Sequence, residues 1–164
     1  GPLHTCVLAT PGAAIAQVAR WSQRELAPGA SLQRDSLTVH ALPFLSQPAF
    51  DRLLRACDVN FVRGETSFVR AQRPFVWQIY PQAEQAHRVK LEAFLARYLA
   101  EFEKPAIVRR CWQAWNGSGN ISAAWQDFAA NRQSIERHGK VWVSQLDQTG
   151  NLANNLVCFA RELE

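Results

Sequence analysis

One segment of the chain combines a cation, a glycine and two hydroxyl groups at the end of an apolar stretch. Residues 58–82 read DVNFVRGETSFVRAQRPFVWQIYPQ, and the letters RGETS at 63–67 interrupt the apolar residues. A strand that passes through a glycine into a helix commonly binds phosphate, because glycine allows close approach and the helix N-terminus favours an anion. Thr66 or Ser67 can cap the helix, and Arg63 can bind an anion through its guanidinium fork. The alternative interpretation is an ordinary capped helix beside a solvated arginine.

Other candidate ligand-binding residues follow other predicted strands. In open α/β sheets, ligands bind at the carboxyl ends of the strands. We expect four parts of the chain at that edge: the loop with Phe44 and Gln47, the turn at 63–67, Tyr80, and Asn60 just before the turn.

The types of these side chains suit a pyrimidine nucleotide-sugar. Such a ligand needs an aromatic face for the base, an amide for the base edge, amides with one cation for the diphosphate, and polar groups for ribose or sugar hydroxyls. Phe44 could supply the aromatic face and Gln47 the amide for the base edge. Arg63 and the backbone at 65–67 could bind the diphosphate, and Glu65 with Tyr80 could bind the ribose or sugar hydroxyls.

Each assignment has a structural alternative. Phe44 can be a core residue beneath its loop, and Gln47 can simply cap the next helix. Tyr80, before a proline, can be a buried ring with a satisfied hydroxyl. Glu65 is favoured at a helix N-terminus by the dipole alone, by about 0.3–1 kcal/mol.

The elements that would position these residues alternate between strand and helix. Strands are predicted at 5–10, 37–42, 59–62 and 75–79, with helices at 13–24, at 48–56 and from about Glu65. This alternation predicts an α/β fold with a Rossmann-like parallel sheet. A long amphipathic helix at 83–102 and further helical pieces follow, anchored by aromatic residues that we expect to pack on the sheet. The residues of the long helix predicted to pack are Val89, Leu91, Phe94, Leu95 and Tyr98.

Length and composition limit the classes of function that the chain can have. The chain has 164 residues, enough for one domain with a real core, a net charge of +4 and a pI near 9.2. The charge suits an anionic ligand or an acidic partner, but no run of Lys or Arg interleaves with aromatic residues as a nucleic-acid surface would. No apolar run approaches the roughly 18 residues that a membrane span needs.

Metal and thiol chemistry is not predicted. The four cysteines, Cys6, Cys57, Cys111 and Cys158, lack ligand spacing and are expected to be buried free thiols rather than disulfides or metal ligands. The histidines are isolated in sequence. His87 follows the Tyr80 turn and could approach a diphosphate, although a surface histidine at a helix start is the preferred interpretation.

Three motifs, in this order, carry a family resemblance: DVNFVRGE, SFVRAQ and PFVWQIYPQ. Together with LPFLSQPAFDRLLRACD before them and AHRVKLEAFLARY after them, they resemble the bacterial protein-arginine rhamnosyltransferases that modify elongation factor P. The resemblance covers most of residues 5–102 and, more loosely, the tryptophan-rich tail.

This resemblance implies an inverting, metal-independent glycosyltransferase of the GT-B fold. It implies transfer of rhamnose from dTDP-β-L-rhamnose to an arginine of elongation factor P in the cytoplasm, with dTDP as product. No cofactor, membrane or nucleic-acid partner is expected. Residues 1–164 would be the C-terminal, nucleotide-sugar-binding domain, incomplete at its N-terminus because the chain starts after the first strand that the family has there. The lack of methionine is also typical of a fragment, and the family's acceptor domain, which comes first, would be absent from this chain. The general base is expected in that acceptor domain.

The resemblance also assigns roles to individual residues. Arg63, Gly64, Glu65 and Ser67 match the family's Arg-Gly-Glu-Asp-Ser donor-binding motif, with Glu65 as a catalytic support on the donor side. Phe44, Gln47 and Tyr80 match nucleotide- and diphosphate-contacting positions. Thr66 departs from the family, which usually has Asp there, and so lacks the carboxylate that could contact the sugar or ribose.

Two further functions stay open at this point. One is a GT-B half that uses another activated sugar, such as a UDP-hexose, which would not prefer the thymine methyl. The other is a non-catalytic α/β module that binds RNA or a protein through its positive surface, with a steep dependence on salt.

Overall fold

The computed structural model describes residues 4–71, 75–78, 84–150 and 152–162. The chain divides after Phe50 into two compact units, residues 1–50 and 51–164. Each unit contains one pair of parallel strands, and the second unit ends in a series of helices. The predicted α/β class, with parallel strands and a helical C-terminal tail, is therefore confirmed.

The first unit contains a three-stranded sheet in the order β1-β3-β2. Its elements are β1 (Thr5–Ala9), α1 (Ala13–Ser22), β2 (Ser31–Arg34) and β3 (Leu37–Ala41). β1 runs parallel to β3, with Thr5 opposite Leu37 and Ala9 opposite Ala41. The strands predicted at 5–10 and 37–42 are confirmed and end one residue earlier than predicted.

The antiparallel strand β2 is an addition to the predicted sheet. Its residues SLQR include one apolar side chain, the half-buried Leu32, and the other three are exposed. A short polar edge strand of this kind has little hydrophobic signal. The tight turn to β3 passes through Asp35, whose φ of 53° lies in the left-handed region that Asp tolerates.

β1 is buried only at its carboxyl end. Thr5, Cys6 and Val7 are exposed, whereas Ala9 is buried. β1 is an edge strand of the described sheet and pairs with β3 alone, so its first residues have few neighbours.

The second unit is built around two short parallel strands. α2 (Gln47–Ala56) leads into it and is followed by β4 (Asn60–Arg63), α3 (Glu65–Arg70) and β5 (Phe75–Gln78). β4 and β5 pair in register, with Asn60 opposite Phe75 and Arg63 opposite Gln78. The strands predicted at 59–62 and 75–79 are confirmed to within one residue, apart from residue 79, which lies outside the described residues.

The helical tail packs its aromatic residues against this pair of strands. Its helices are α4 (Glu84–Tyr98), α5 (Pro105–Trp115), α6 (Ile121–Ala130), α7 (Arg132–Gln148) and α8 (Leu152–Glu162). The ring of Trp112 lies 5.1 Å from that of Phe75 on β5 and stacks on Phe94 of α4 at 5.9 Å. Because Trp112 and Phe128 are completely buried, these helices form the core of the second unit.

The predicted packing of α4 is correct at four of its five positions. Leu91, Leu95 and Tyr98 are buried, and Phe94 is half-buried and contacts several rings. Val89 is 71% exposed, so its predicted burial is wrong. Helical spacing puts Val89 more than a quarter-turn away from the line of Leu91, Leu95 and Tyr98.

The environments of the four cysteines differ from the prediction. All four are free, but Cys6 and Cys158 are exposed, Cys57 is half-buried and Cys111 alone is buried. Of the helices that the structure describes, none has both the length and the apolar character that a membrane span requires.

Candidate functional site

The candidate anion-binding turn begins where β4 ends. Side chains of β4 alternate, so that Asn60 and Val62 are buried while Phe61 and Arg63 are exposed. Gly64 follows with φ 80° and ψ 168°, a conformation that a side chain would strain. The change of direction from strand to helix therefore depends on glycine, and Arg63 is the exposed cation beside it.

The predicted capping of α3 is wrong. Gly64 occupies the N-cap position and makes no side-chain cap hydrogen bond. Thr66 and Ser67 lie inside the helix, as its second and third residues, so neither hydroxyl is placed to cap it. α3 also has only six residues, so its dipole contributes little to the binding of an anion at this end.

The polar groups of the turn differ in exposure. Thr66 is exposed and Ser67 is half-buried. Glu65 is the first residue of α3, and its side chain is not among the described parts of the structure. Arg63, Gly64, Thr66 and Ser67 are consecutive or nearly so, and the structure places them in one strand–helix turn of the second unit.

Asn60 has a structural role instead of the predicted place among ligand-binding residues. Its side chain is 6% exposed, and its Nδ2 donates a hydrogen bond of 2.8 Å to the carbonyl oxygen of Leu54. That carbonyl lies in the last turn of α2, where backbone acceptors lack helical partners. Asn60 therefore joins the start of β4 to the end of α2.

Two other candidates lie in the first unit, one in the loop after β3 and one at the start of α2. Phe44 is 92% exposed, so the alternative interpretation of a core residue beneath the loop is wrong. Gln47 is exposed and is the first residue of α2, so it does not occupy the position that caps this helix. An exposed aromatic face and an exposed amide are thus three residues apart in the chain.

The remaining candidates lie outside the described residues. Tyr80 is one of them, and so is the side chain of His87, whose backbone belongs to α4. The roles predicted for Tyr80 and His87 therefore stay predictions. In the part of the chain that is described, no three His, Cys, Asp or Glu residues are grouped as a metal site would require.

Groups with shifted pKa values lie in the helical tail. Burial raises the pKa of the Cys111 thiol to about 11 and also raises the pKa of the Tyr98 hydroxyl. A hydrogen bond from Ser134 lowers the pKa of Glu103. The Nε2 of His138 donates to the carbonyl oxygen of Tyr98 at 2.7 Å. The His138 contact joins α7 to α4, and the Ser134 contact joins α7 to the segment after α4.

A cavity of about 330 Å³ lies among the same helices. Residues at the end of α4 and along α7 line it, including Arg97, His138 and Gln145. None of the candidate nucleotide-binding residues is part of its lining.

Comparison with known proteins identifies relatives across the whole chain. The family described as Elongation-Factor P (EF-P) rhamnosyltransferase EarP matches residues 2–161. The protein-arginine rhamnosyltransferase of Pseudomonas aeruginosa is 41% identical over 159 residues, which are 93% of this chain and 42% of that protein. The protein of the same name from Pseudomonas putida is 40% identical over 166 residues, or 98% of this chain and 44% of the relative. The chain therefore spans less than half the length of these relatives.

A solved structure shows the same fold. It is described as the structural basis for EarP-mediated arginine glycosylation of translation elongation factor EF-P. The match has a TM-score of 0.86 and 35% identity, and it covers 99% of this chain and 53% of that one. The resemblance found from the motifs is confirmed.

Proposed function

The chain belongs to the EF-P rhamnosyltransferase EarP family, and from this premise we propose that it is the donor-binding part of an arginine rhamnosyltransferase. The complete enzyme would transfer rhamnose from dTDP-β-L-rhamnose to one arginine of elongation factor P in the cytoplasm. The chain would form the C-terminal half of a GT-B fold.

The extent of the family match carries this proposal. The match runs from residue 2 to residue 161 and so includes both the Phe44 loop and the Arg63–Ser67 turn. The relatives at about 40% identity carry the name protein-arginine rhamnosyltransferase. A rhamnosyl donor is an activated sugar, which needs a base-binding face and a diphosphate-binding turn.

Two observations on the described residues support the assignment of donor roles. Phe44 is 92% exposed although solvation of a large apolar ring is unfavourable, which suits a ring that stacks on a nucleotide base. Arg63 is exposed beside Gly64, whose lack of a side chain allows a diphosphate to approach the backbone. Gln47 would bind the base edge, and Tyr80 the diphosphate or sugar.

The proposed reaction inverts the anomeric carbon. A guanidine nitrogen of the acceptor attacks that carbon, the bond to the dTDP oxygen breaks, and the nitrogen loses a proton to a base. The guanidinium of arginine stays protonated far above neutral pH, so the base must act in a strong local field. We infer that this base lies in the part of the relatives that the chain does not span. Arg63 and the amides at 65–67 would neutralise the leaving diphosphate without a metal ion.

Thr66 is the departure that most affects the proposed site. Threonine retains a hydroxyl but lacks the carboxylate that the family usually has there. Thr66 is exposed, so this hydroxyl is available to a ligand. Glu65 is then the carboxylate of the motif proposed to support the donor sugar.

The test is a calorimetric titration of the 164-residue chain with dTDP and, in parallel, with UDP. We expect saturable binding that favours dTDP, because the thymine methyl distinguishes the two bases. Arg63→Ala should weaken dTDP binding by about tenfold or more, since a charge-assisted contact to phosphate is lost. Arg55→Ala is the matched control, because Arg55 is an exposed arginine of α2 with no proposed role.

The outcomes separate the candidate functions. Equal affinity for UDP and dTDP would favour a different activated sugar. No binding of either nucleotide would contradict a donor site on this chain. Equal effects of Arg63→Ala and Arg55→Ala would show that the phosphate contact has been assigned to the wrong residue.

A further inference from the structure

The helix after the candidate turn is too short to hold its own orientation. α3 has six residues, whereas isolated helices shorter than about 12 residues are marginal in water. Its position must therefore come from contacts with neighbouring elements, and so must the position of Arg63–Ser67 at its start.

Aromatic packing supports one side of α3. The ring of Phe68 contacts Phe75 of β5 at 5.6 Å and Phe94 of α4 at 4.7 Å, edge to face in both cases. These contacts join α3 to the core of the second unit. They act at Phe68, two residues before the end of α3.

A polar contact supports the other side. Nη1 of Arg70, the last residue of α3, donates to both carboxylate oxygens of Asp51 on α2, at 2.8 and 2.6 Å. The two side chains are only partly exposed, 38% for Arg70 and 27% for Asp51. The pair ties the end of α3 to α2, whose own last turn is joined to β4 by Asn60. Both ends of the β4–turn–α3 segment are thus connected to one helix.

We propose that Asp51 and Arg70 are positioning residues, which hold the Arg63–Ser67 turn in the conformation that binds the donor diphosphate. This inference rests on the proposed function for its ligand. Neither residue touches the donor in the proposal. They act through α3, because a shift of its last turn would be transmitted along six residues to the amides at 65–67.

The experiment measures dTDP affinity of the whole chain with Asp51→Asn, with Arg70→Gln, and with the exchanged pair Asp51→Arg/Arg70→Asp. Each single variant should bind dTDP about tenfold more weakly, within the range of coupling between contacting residues. The exchanged pair should regain most of the affinity. Hydrogen exchange of the amides of residues 64–68 should rise in the single variants and fall again in the exchanged pair.

Asp127→Asn is the matched control. Asp127 pairs with Arg110 between α5 and α6, helices that carry no proposed donor residue. Both ion pairs are at least partly exposed to solvent, and exposed ion pairs contribute little to global stability. We therefore expect Asp51→Asn and Asp127→Asn to change the melting temperature by similar small amounts, and only Asp51→Asn to weaken dTDP binding.

The outcomes distinguish the positioning role from the proposed function. Single variants that bind dTDP like the parent would overturn the positioning role while the donor site stands. If the parent chain does not bind dTDP, the proposed function is wrong, and hydrogen exchange alone then tests the positioning role of Asp51 and Arg70. Unchanged exchange at residues 64–68 then overturns the positioning role, whereas a rise reversed by the exchanged pair supports it for another ligand.

Discussion

Aromatic side chains are used in opposite ways in the two units. Phe44, in a loop of the first unit, is 92% exposed, whereas Trp112, in a helix of the second unit, is 0% exposed. Trp112 has Val108 four residues before it on α5, and both are buried. Phe44 follows a proline in a loop and has no such helical partner. The comparison suggests that periodic surroundings mark a core ring and that an isolated ring in a loop is available to a ligand.

Within the second unit, polar groups differ in the same way: those at the candidate turn are exposed, whereas one in the helical core is buried. Arg63 and Thr66, at the candidate turn, are exposed. In the helical core, the indole Nε1 of Trp112 is buried without a hydrogen-bond partner among the described residues. Such an unsatisfied buried donor lowers stability, and the burial of the large Trp112 ring offsets this loss.

The strongest test of this comparison removes the core ring. Trp112→Ala should lower the free energy of unfolding by about 3–5 kcal/mol, because it leaves a cavity among Phe75, Phe94 and Tyr98. Denaturant titration measures the loss. The control is Trp21→Ala, since Trp21 is 47% exposed and its removal should cost less than about 1 kcal/mol. Equal losses for the two variants would contradict the division between core and exposed rings.

The second test removes the exposed ring. Phe44→Ala should weaken dTDP binding by roughly tenfold, since stacking of one base contributes about 1–3 kcal/mol. Its thermal stability should remain within about 0.5 kcal/mol of the parent, because Phe44 has few packing contacts to lose. Calorimetry and thermal melts measure the two effects. Phe159→Ala is the control, because Phe159 on α8 is also exposed, at 59%, and has no proposed ligand role.

The local features of this fold could be predicted from the sequence. Apolar runs ending at Pro or Gly located four of the five described strands, and the Arg-Gly step located the turn after β4. Helical spacing identified Leu91, Leu95 and Tyr98 as core residues. These signals are short-range, since each depends on residues within one or two turns of the chain.

The features that escaped prediction depend on contacts between distant residues. β2 is polar, and its pairing with β3 is what makes it a strand. Arg70 and Asp51 are 19 residues apart, and neither has a distinctive local pattern. The proline–phenylalanine step at Phe44 suits both a core residue and a ligand-binding loop, and the structure decides between them, because Phe44 is 92% exposed. The family motif located the candidate turn, and the structure identified the contacts that support it.

The smallest expected effect concerns one polar contact of the helical tail. It should change the stability of the tail and leave the exposed candidate ligand-binding residues unaffected. The hydroxyl of Ser134 on α7 donates to Oε1 of Glu103 at 2.5 Å, and this hydrogen bond holds the pKa of Glu103 below its ordinary value. A carboxyl with a lowered pKa in the folded state stabilises the fold above its unfolded pKa, near 4.3, and this contribution is lost as the pH falls through the folded value.

Glu103→Gln removes the titrating group, so the melting temperature of the parent should exceed that of the variant at about pH 6, and the difference should shrink below about pH 4. Ser134→Ala should abolish the same pH-dependent difference, because it removes the donor that stabilises the carboxylate. A parent and a Glu103→Gln variant whose melting temperatures fall in parallel from pH 6 to about pH 3 would show that this contact does not couple the tail to pH.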